Sequence, residues 1–191
     1  MSKFELVPIN EANPDKTGEE LFECLDNEIT KTQLRLFLPG ALGYGESPEA
    51  AQDRIKANQE AAREDSRFDP LVQVLDERAI GMAVIDERLR AKRCAACALP
   101  LGEIALSGPN TSSWIANEYQ GQGFGKASLE RRIDRTHEAG HEGLWTVVDD
   151  DNIKSARNVA DRGFKPVYQG RVSVAGQYYR RATVSQYLFD S

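Results

Sequence analysis

Three glycines at alternate positions, Gly121, Gly123 and Gly125, are the residues of this sequence best suited to bind a phosphate. They lie between an apolar run and a run of helix-forming residues, and Lys126 follows them directly. Glycine permits positive φ and close approach of the backbone, so successive N–H groups can point at one anion beside the positive end of the next helix. Lys126 would add a cation. The stretch 114–126 therefore predicts an anion-binding turn.

The spacing of these glycines excludes two common classes of phosphate-binding loop. A P-loop requires a glycine five residues before its Gly-Lys pair and a hydroxyl directly after the pair. Gln120 and Ala127 occupy those two positions. A dinucleotide-binding fingerprint fails in both possible frames, because Lys126 or Ser128 stands where its third glycine belongs.

The pattern Gln-x-x-Gly-x-Gly, formed by Gln120, Gly123 and Gly125, resembles the pyrophosphate loop of the GNAT superfamily of acetyl-CoA-dependent N-acetyltransferases. A second block resembles the segment after that family's fifth strand, in the form shared by the RimJ/RimL-like protein N-terminal acetyltransferases. Its matching positions are Asn152, Ser155, Arg157, Gly163 and Phe164. The resemblance spans residues 112–170 and implies an acetyl-CoA-dependent N-acetyltransferase.

The fold that the resemblance implies is α/β (α+β), with a mixed and mostly antiparallel sheet flanked by helices. A central splayed pair of parallel strands, the fourth and fifth of the family, corresponds to residues 112–116 and 144–148. The local patterns agree, since strand, glycine turn, helix and buried strand form a right-handed crossover unit with its loop at the strand's carboxyl end. We expect one GNAT-like acetyltransferase domain over residues 1–191.

Other elements follow from hydrophobic periodicity and turn residues. A capping box at Thr17 and Glu20 predicts the start of an amphipathic helix. Ser47-Pro48 predicts the start of a surface helix. The charged run 86–93 is expected to be a solvated strand extension or a loop. Strands are predicted at 4–8, 71–75, 79–85, 95–101, 104–106, 167–174 and 178–189, and a further helix at 152–162.

The resemblance also implies which residues bind acetyl-CoA, the co-substrate. Backbone N–H groups of the turn should hold the pyrophosphate, and Gln120 should fix the turn. Two residues at the end of the fourth strand should offer backbone groups to the pantetheine arm and the acetyl carbonyl. Asn152 should hydrogen-bond the pantetheine. The expected coenzyme-binding residues are Ile115, Ala116, Gln120, Gly121, Gln122, Gly123, Phe124, Gly125, Lys126, Asn152 and Ser155.

Ser155 is also the expected catalytic residue, the proton donor to the leaving thiolate. Many family members carry a tyrosine seven residues after the Asn152 position, but this chain has Val159 there. The alternative is that Ser155 only caps or packs the helix start. Candidate general bases are Glu118, Glu103 and the run 149–151, none of which the sequence singles out.

The acceptor is expected to be an amine, either a protein α-amine or a small molecule such as a polyamine or an aminoglycoside-like compound. Deprotonating a free lysine at pH 7 costs about 4.6 kcal/mol and an α-amine only about 1.4 kcal/mol. An α-amine, or an amine of lowered pKa, is thus the easier acceptor without a strong base. Direct attack within a ternary complex is expected, because no cysteine lies in the motif to carry the acyl group. By resemblance, Tyr44 is a substrate-side candidate, and an exposed loop aromatic is the alternative.

Two further hypotheses compete with the enzyme. One is a non-catalytic acyl-CoA-binding sensor on the same fold. The other is a zinc site built from two cysteines and two histidines, Cys94, Cys97, His137 and His141, whose pairs are separated by far more than in a compact finger. We expect no metal.

The composition bears on the partner and the location of the protein. The net charge of −6 argues against a nucleic-acid partner and suits a cationic amine. Neither a membrane span nor the apolar stretch of a signal peptide is present in the sequence, so a cytoplasmic protein with no membrane partner is expected. The oligomeric state is left open, with a homodimer as one option.

Overall fold

The computed structural model describes residues 3–25, 44–96 and 99–190. Within these residues the chain forms nine strands and four α-helices, in the order β1 (Phe4–Pro8), α1 (Pro14–Leu25), α2 (Pro48–Glu64), β2 (Phe68–Leu75), β3 (Arg78–Asp86), β4 (Ala91–Cys94), β5 (Pro100–Glu103), β6 (Asn110–Ile115), α3 (Phe124–Glu138), β7 (Gly143–Asp149), α4 (Ile153–Asp161), β8 (Lys165–Val174) and β9 (Gln177–Leu188). Two compact units are present. The first comprises Met1–Val84 and Ser113–Arg131, and the second Ile85–Ser112 and Arg132–Ser191.

The first unit is built on strands in the order β1-β2-β3-β6, with residues 113–115 of β6. Strands β1 and β2 are antiparallel, and Phe4 pairs with Leu75. Helices α1 and α2 pack on each other. The predicted start of α2 is confirmed, because the Ser47 hydroxyl accepts from the Ala50 N–H at 3.1 Å and a proline lies in the first turn. Apolar residues from both helices, from β2, β3 and β6, and from the segments just before α1 and α2 form the core of this unit: Ile9, Leu21, Leu25, Tyr44, Ala51, Ile55, Val72, Ala79, Met82 and Trp114.

The second unit has the strand order β6-β7-β9-β8-β4-β5, with residues 110–112 of β6. Strand β6 runs parallel to β7, with Asn110 opposite Trp145, whereas β7-β9, β9-β8, β8-β4 and β4-β5 are antiparallel. Its core contains Ala91, Trp145, Val172, Val174 and Val184. The predicted mixed, mostly antiparallel sheet is confirmed.

The parallel pair is β6 and β7, however, and not the fourth and fifth strands of the chain. Two short strands, β4 and β5, precede the pair and shift the count. Strand β4 overlaps the run 86–93, which the sequence predicts to be a solvated strand extension or a loop, and it places Lys92 and Arg93 on the surface between buried Ala91 and Cys94. Residues 104–106, expected to be a strand, belong to no strand.

Each unit buries one of the two tryptophans of the chain. Trp114 packs against the Tyr44 ring in the first core, with 6.2 Å between ring centroids. Trp145 is 2% exposed in the second core, and its indole N–H donates to the Gly108 carbonyl at 3.1 Å. Among the described residues, no helix is both long enough and apolar enough to cross a membrane.

Candidate active site

The glycine turn lies in the first unit, between β6 and α3. A short 3₁₀ helix, Asn117–Tyr119, leads into it, and Gly121 and Gly123 have φ of 77° and 90°. Helix α3 begins at Phe124, and the Ala127 N–H donates to the Gly123 carbonyl at 3.0 Å. In the first turn of a helix the backbone N–H groups have no carbonyl one turn earlier to bond. The turn therefore presents the start of a helix, which is where an anion is best stabilised.

Gly121 and Gly123 are surrounded by open space. A β-carbon added at either position would meet no atom within 4 Å. Gly81 in β3 is the opposite case, because a β-carbon there would lie 2.2 Å from the Trp114 carbonyl oxygen. Packing therefore requires glycine at 81 but not at 121 or 123. At the turn, glycine instead permits the positive φ and allows a ligand to approach the backbone from outside.

Side chains from inside and outside the turn hold its shape. The Gln120 side-chain amide donates to the Ile115 carbonyl at 3.1 Å, and that of Gln122 donates to the Glu118 carbonyl at 2.8 Å. The ring of Phe124 stacks on Phe4 of β1, with centroids 5.5 Å apart. The role of Phe4 as a support of the turn could not be predicted, because nothing in the sequence links residues that are so far apart along the chain.

At the end of β6, the backbone groups of Ile115 and Ala116 face in opposite directions. The Ala116 N–H donates to the Ile80 carbonyl of β3 at 2.9 Å, so this group is engaged within the sheet. Because backbone groups alternate along a strand, the N–H and C=O of Ile115 point away from β3. The Gln120 amide meets the Ile115 carbonyl on that side. Of the two residues, Ile115 thus has its backbone N–H directed away from the neighbouring strand.

Asn152 and Ser155 lie in the second unit, at the start of α4. The Asn152 side-chain oxygen accepts from the Ser155 backbone N–H at 3.2 Å, so Asn152 is the N-cap of this helix. The Ser155 hydroxyl is therefore not the capping oxygen of this helix. The cap uses the side-chain oxygen of Asn152 and leaves its Nδ2 as the group with which Asn152 can donate to a ligand.

Val159, which replaces the tyrosine of many relatives, is buried in α4. Strand β9 in the same unit carries another phenol, Tyr179. Burial and, to a smaller extent, the charge of Asp149 raise the pKa of Tyr179 to about 12. This phenol therefore stays protonated at neutral pH.

The acidic run 149–151 is held by donors of the second unit. Asp150 accepts from the Thr183 hydroxyl at 2.9 Å and from the Gln169 amide at 3.2 Å. Asp151 pairs with Arg181 at 2.7 Å, and the Asp149 carboxylate accepts from the Asp151 N–H at 2.9 Å. Each carboxylate thus has at least one hydrogen-bond or ion-pair partner. The other two candidate bases, Glu103 and Glu118, are exposed.

Tyr44, a predicted substrate-side residue, is only 4% exposed in the core of the first unit. Its hydroxyl accepts from the Asn58 amide, and burial raises its pKa to about 12. The alternative of an exposed loop aromatic is therefore wrong. The sequence could not show this, because the burial depends on Trp114, which is 70 residues away along the chain.

The four residues of the zinc hypothesis have other contacts where they are described. His141 Nε2 lies 3.2 Å from Glu87 Oε1, and the His137 ring stacks on Phe189. Cys94 is buried, and Cys97 lies outside the described residues. Within 3–25, 44–96 and 99–190, no group of three or more His, Cys, Asp or Glu side chains is arranged to hold a metal ion.

Solved structures share this fold at low sequence identity. RimL, a ribosomal L7/L12 alpha-N-protein acetyltransferase in complex with coenzyme A, has a TM-score of 0.72 and 14% identity, with 98% of this chain and 94% of that chain covered. The microcin C7 self-immunity acetyltransferase MccE, in complex with acetyl-CoA and AMP, has a TM-score of 0.72 and 13% identity over 98% and 93%. RimJ from Mycobacterium smegmatis, in complex with a CoA-disulfide, has a TM-score of 0.70 and 16% identity over 96% and 85%.

A search of curated protein sequences gave no match. Residues 33–164, more than half of the chain, match the model of the Acetyltransferase (GNAT) family. This match confirms the predicted family and the predicted class of enzyme, and the coenzymes in the similar structures agree with acetyl-CoA as the co-substrate. The chain belongs to the GNAT family of acetyltransferases.

Proposed function

We propose that this protein is a single-domain, acetyl-CoA-dependent N-acetyltransferase that acetylates a primary amine by direct attack in a ternary complex. The observation that carries the proposal is the turn at Gly121 and Gly123. Both glycines have positive φ, neither is required by packing, and a helix begins directly after them. A pyrophosphate at this position would meet helix N–H groups, the positive end of the helix and the exposed Lys126.

Three further residues have proposed roles with the coenzyme. Ile115 would donate its backbone N–H to the acyl arm, because this group points away from β3. Asn152 would donate its Nδ2 to the pantetheine arm, because its side-chain oxygen already caps α4. Ser155 would donate a proton to the departing sulfur, since the capping oxygen of α4 is that of Asn152 and not the Ser155 hydroxyl.

The proposed reaction joins the acceptor nitrogen to the acetyl carbon and breaks the bond from that carbon to sulfur. The thiolate takes a proton from the Ser155 hydroxyl, and the proton lost by the acceptor nitrogen restores that hydroxyl through solvent. An acyl-cysteine intermediate has no support from the described cysteines. Cys94 is buried, and burial, with a smaller effect of Glu118, raises the pKa of the Cys24 thiol to about 12. Such thiols are poor nucleophiles.

A protein α-amine is the proposed acceptor, with a small-molecule amine as the second class. Only the neutral amine attacks, and an α-amine loses its proton about 3 kcal/mol more cheaply than a lysine. The three carboxylates of the run 149–151 already accept from other groups of the second unit, which favours an acceptor that loses its proton readily. RimL, one of the structures similar to this chain, is a ribosomal L7/L12 alpha-N-protein acetyltransferase, which agrees with this class of acceptor.

Calorimetric titration of the purified protein with acetyl-CoA, and separately with ATP and NADH, tests the coenzyme. We expect micromolar binding of acetyl-CoA alone. A preference for ATP or NADH, or no binding of acetyl-CoA, would contradict the assignment of the turn.

A panel of N-terminal peptides and small amines, assayed by release of the coenzyme thiol, then tests the reaction. We expect turnover with at least one amine and the fastest turnover with an α-amine. Acetyl-CoA binding without turnover of any amine would support the non-catalytic acyl-CoA sensor instead.

A further inference from the structure

Gln73 is a polar residue inside the apolar run 71–75 of β2, and it is fully buried in the first unit. Its side-chain amide donates to two backbone carbonyls, that of Met82 in β3 at 2.8 Å and that of Trp114 in β6 at 2.7 Å. One side chain therefore joins three strands.

The orientation of this amide is fixed by its partners. Both are carbonyl oxygens, so only the NH₂ end of Gln73 can serve them. The other end, Oε1, is buried and has no hydrogen-bond partner among the described residues. A buried acceptor without a partner destabilises a fold. The NH₂ end is thus the part of Gln73 that the fold uses, and an apolar residue would otherwise suit this strand better.

The Trp114 carbonyl and the Ile115 N–H belong to one planar peptide group. In a trans peptide these two groups point in opposite directions, so fixing the carbonyl also fixes the N–H. Gln73 holds the carbonyl from the side of β2 and β3. On that side β3 approaches so closely that a β-carbon at Gly81 would lie 2.2 Å from the same oxygen. The Ile115 N–H is thereby directed away from β3.

Two other contacts hold the next peptide group in the same way. The Ile115 carbonyl accepts from the Gln120 amide at 3.1 Å, and the Ala116 N–H donates to the Ile80 carbonyl at 2.9 Å. Both peptide groups at the end of β6 are therefore fixed, the first by Gln73 and the second by Gln120 and Ile80.

We infer that Gln73 is a positioning residue, which aims the Ile115 N–H at the acyl arm of the coenzyme by holding the Trp114 carbonyl. The inference rests on the proposed function, in which Ile115 binds that arm. Gln73 itself touches no substrate. Its effect should therefore fall on the orientation of the thioester and not on the pyrophosphate turn.

The test compares Gln73→Met with Gln59→Met. Methionine keeps the length of glutamine and removes the donor. Gln59 is a matched control, because it is buried in the same unit and also donates to two backbone carbonyls, those of Ile9 at 2.8 Å and Ala12 at 2.9 Å. Both variants lose two hydrogen bonds of one kind. Their Tm values, kcat, and Kd for acetyl-CoA and for coenzyme A are measured together.

For Gln73→Met we expect kcat to fall by about 10- to 100-fold, because a small misplacement of the reacting group has an effect of this size. Its Kd for coenzyme A without the acetyl group should change less than about threefold, since the turn is intact. Gln59→Met should lower Tm by a similar amount and leave kcat within about twofold of wild type, as expected of a purely structural loss. Equal losses of kcat in the two variants would overturn the inference.

A second readout needs no turnover. In ¹⁵N-labelled protein without coenzyme, Gln73→Met should shift the Ile115 amide resonance and accelerate its hydrogen exchange by about tenfold or more, whereas Gln59→Met should leave both unchanged. An unmoved Ile115 amide would overturn the inference even if the enzyme is active. Failure of the wild type to bind acetyl-CoA would instead overturn the proposed function. If Gln73→Met does not fold, it is replaced by Gln73→Asn, whose side chain is one methylene shorter. Gln59→Asn is then the control.

Discussion

Gly123 combines a φ of 90° with open space around its α-carbon. A valine there is expected to abolish acetyl-CoA binding, because the side chain would stand where the pyrophosphate must approach the backbone. Calorimetry measures this directly. Near-normal affinity would refute the assignment of the turn.

Gly140, just after the C-terminal end of α3, provides the control for this variant. It has a φ of 80° and the same open surroundings. Gly123→Val and Gly140→Val should therefore carry a similar strain, roughly 1–2 kcal/mol for an L-residue in the left-handed region. Only the first should lose the coenzyme.

Ser155→Ala tests the proposed acid. We expect kcat to fall by about 100-fold, the usual scale for a general acid, with the Kd for acetyl-CoA unchanged. The helix should be unaffected, because the cap uses the backbone N–H of residue 155 and not its hydroxyl. Ser155→Thr, which keeps a hydroxyl, is the matched control. An unchanged kcat in Ser155→Ala would contradict the assignment and indicate a structural role for Ser155.

At the scale of elements, the N-cap of α4 has two separable functions. Asn152→Asp keeps a good capping oxygen and removes the Nδ2 donor, so we expect unfolding free energy within about 0.5 kcal/mol of wild type and roughly tenfold weaker acetyl-CoA binding. Asn152→Ala should lose both, with a stability cost of about 1 kcal/mol. Denaturant unfolding and calorimetry on the same samples separate the two effects.

Ser47→Ala, at the N-cap of α2, is the control for Asn152→Ala. It removes the same kind of cap, a side-chain oxygen that accepts from a backbone N–H at 3.1 Å. A similar stability loss with unchanged acetyl-CoA binding is expected. If Asn152→Asp bound acetyl-CoA as tightly as wild type, Asn152 would be a cap and nothing more.

Local signals in the sequence predicted elements whose cause is local. The start of α2 at Ser47-Pro48 and the glycine turn before α3 are formed by residues next to each other, and both are confirmed. The predicted capping box of α1 is wrong. The helix begins at Pro14, and the Asn13 side chain accepts from the N–H groups of residues 15 and 16. The Glu20 carboxylate instead accepts from the Ala79 N–H of β3 at 2.8 Å.

Long-range contacts explain the other differences. Strand β4 could not be seen in a charged run because its place depends on pairing with β5 and β8. The candidate site residues were predicted from the family resemblance, but the residues that support them were not. Gln73 had only one sequence signal, a polar residue inside the apolar run 71–75, and its partners Met82 and Trp114 are visible only in the fold.

For the whole molecule, coenzyme binding should appear as stability. At a free acetyl-CoA concentration one hundred times Kd, linkage stabilises the folded state by about 2.7 kcal/mol. For a chain of this size, Tm should rise by roughly 5–10 °C. Scanning calorimetry with acetyl-CoA, ATP and NADH checks this, and Gly123→Val is the control that should lose the shift. Equal shifts with all three nucleotides would indicate binding without selectivity for the coenzyme.

The distribution of the two tryptophans gives each unit its own intrinsic fluorophore. Trp114 belongs to the first core and Trp145 to the second, and no other tryptophan is present in the chain. Trp145→Phe leaves emission that reports on the first unit alone, and Trp114→Phe leaves emission from the second. The red shift of the emission maximum is followed in each variant during denaturation. Coincident transitions in the two variants would show that the two units lose their cores together, and separate transitions that they do not, which is the usual test of cooperativity.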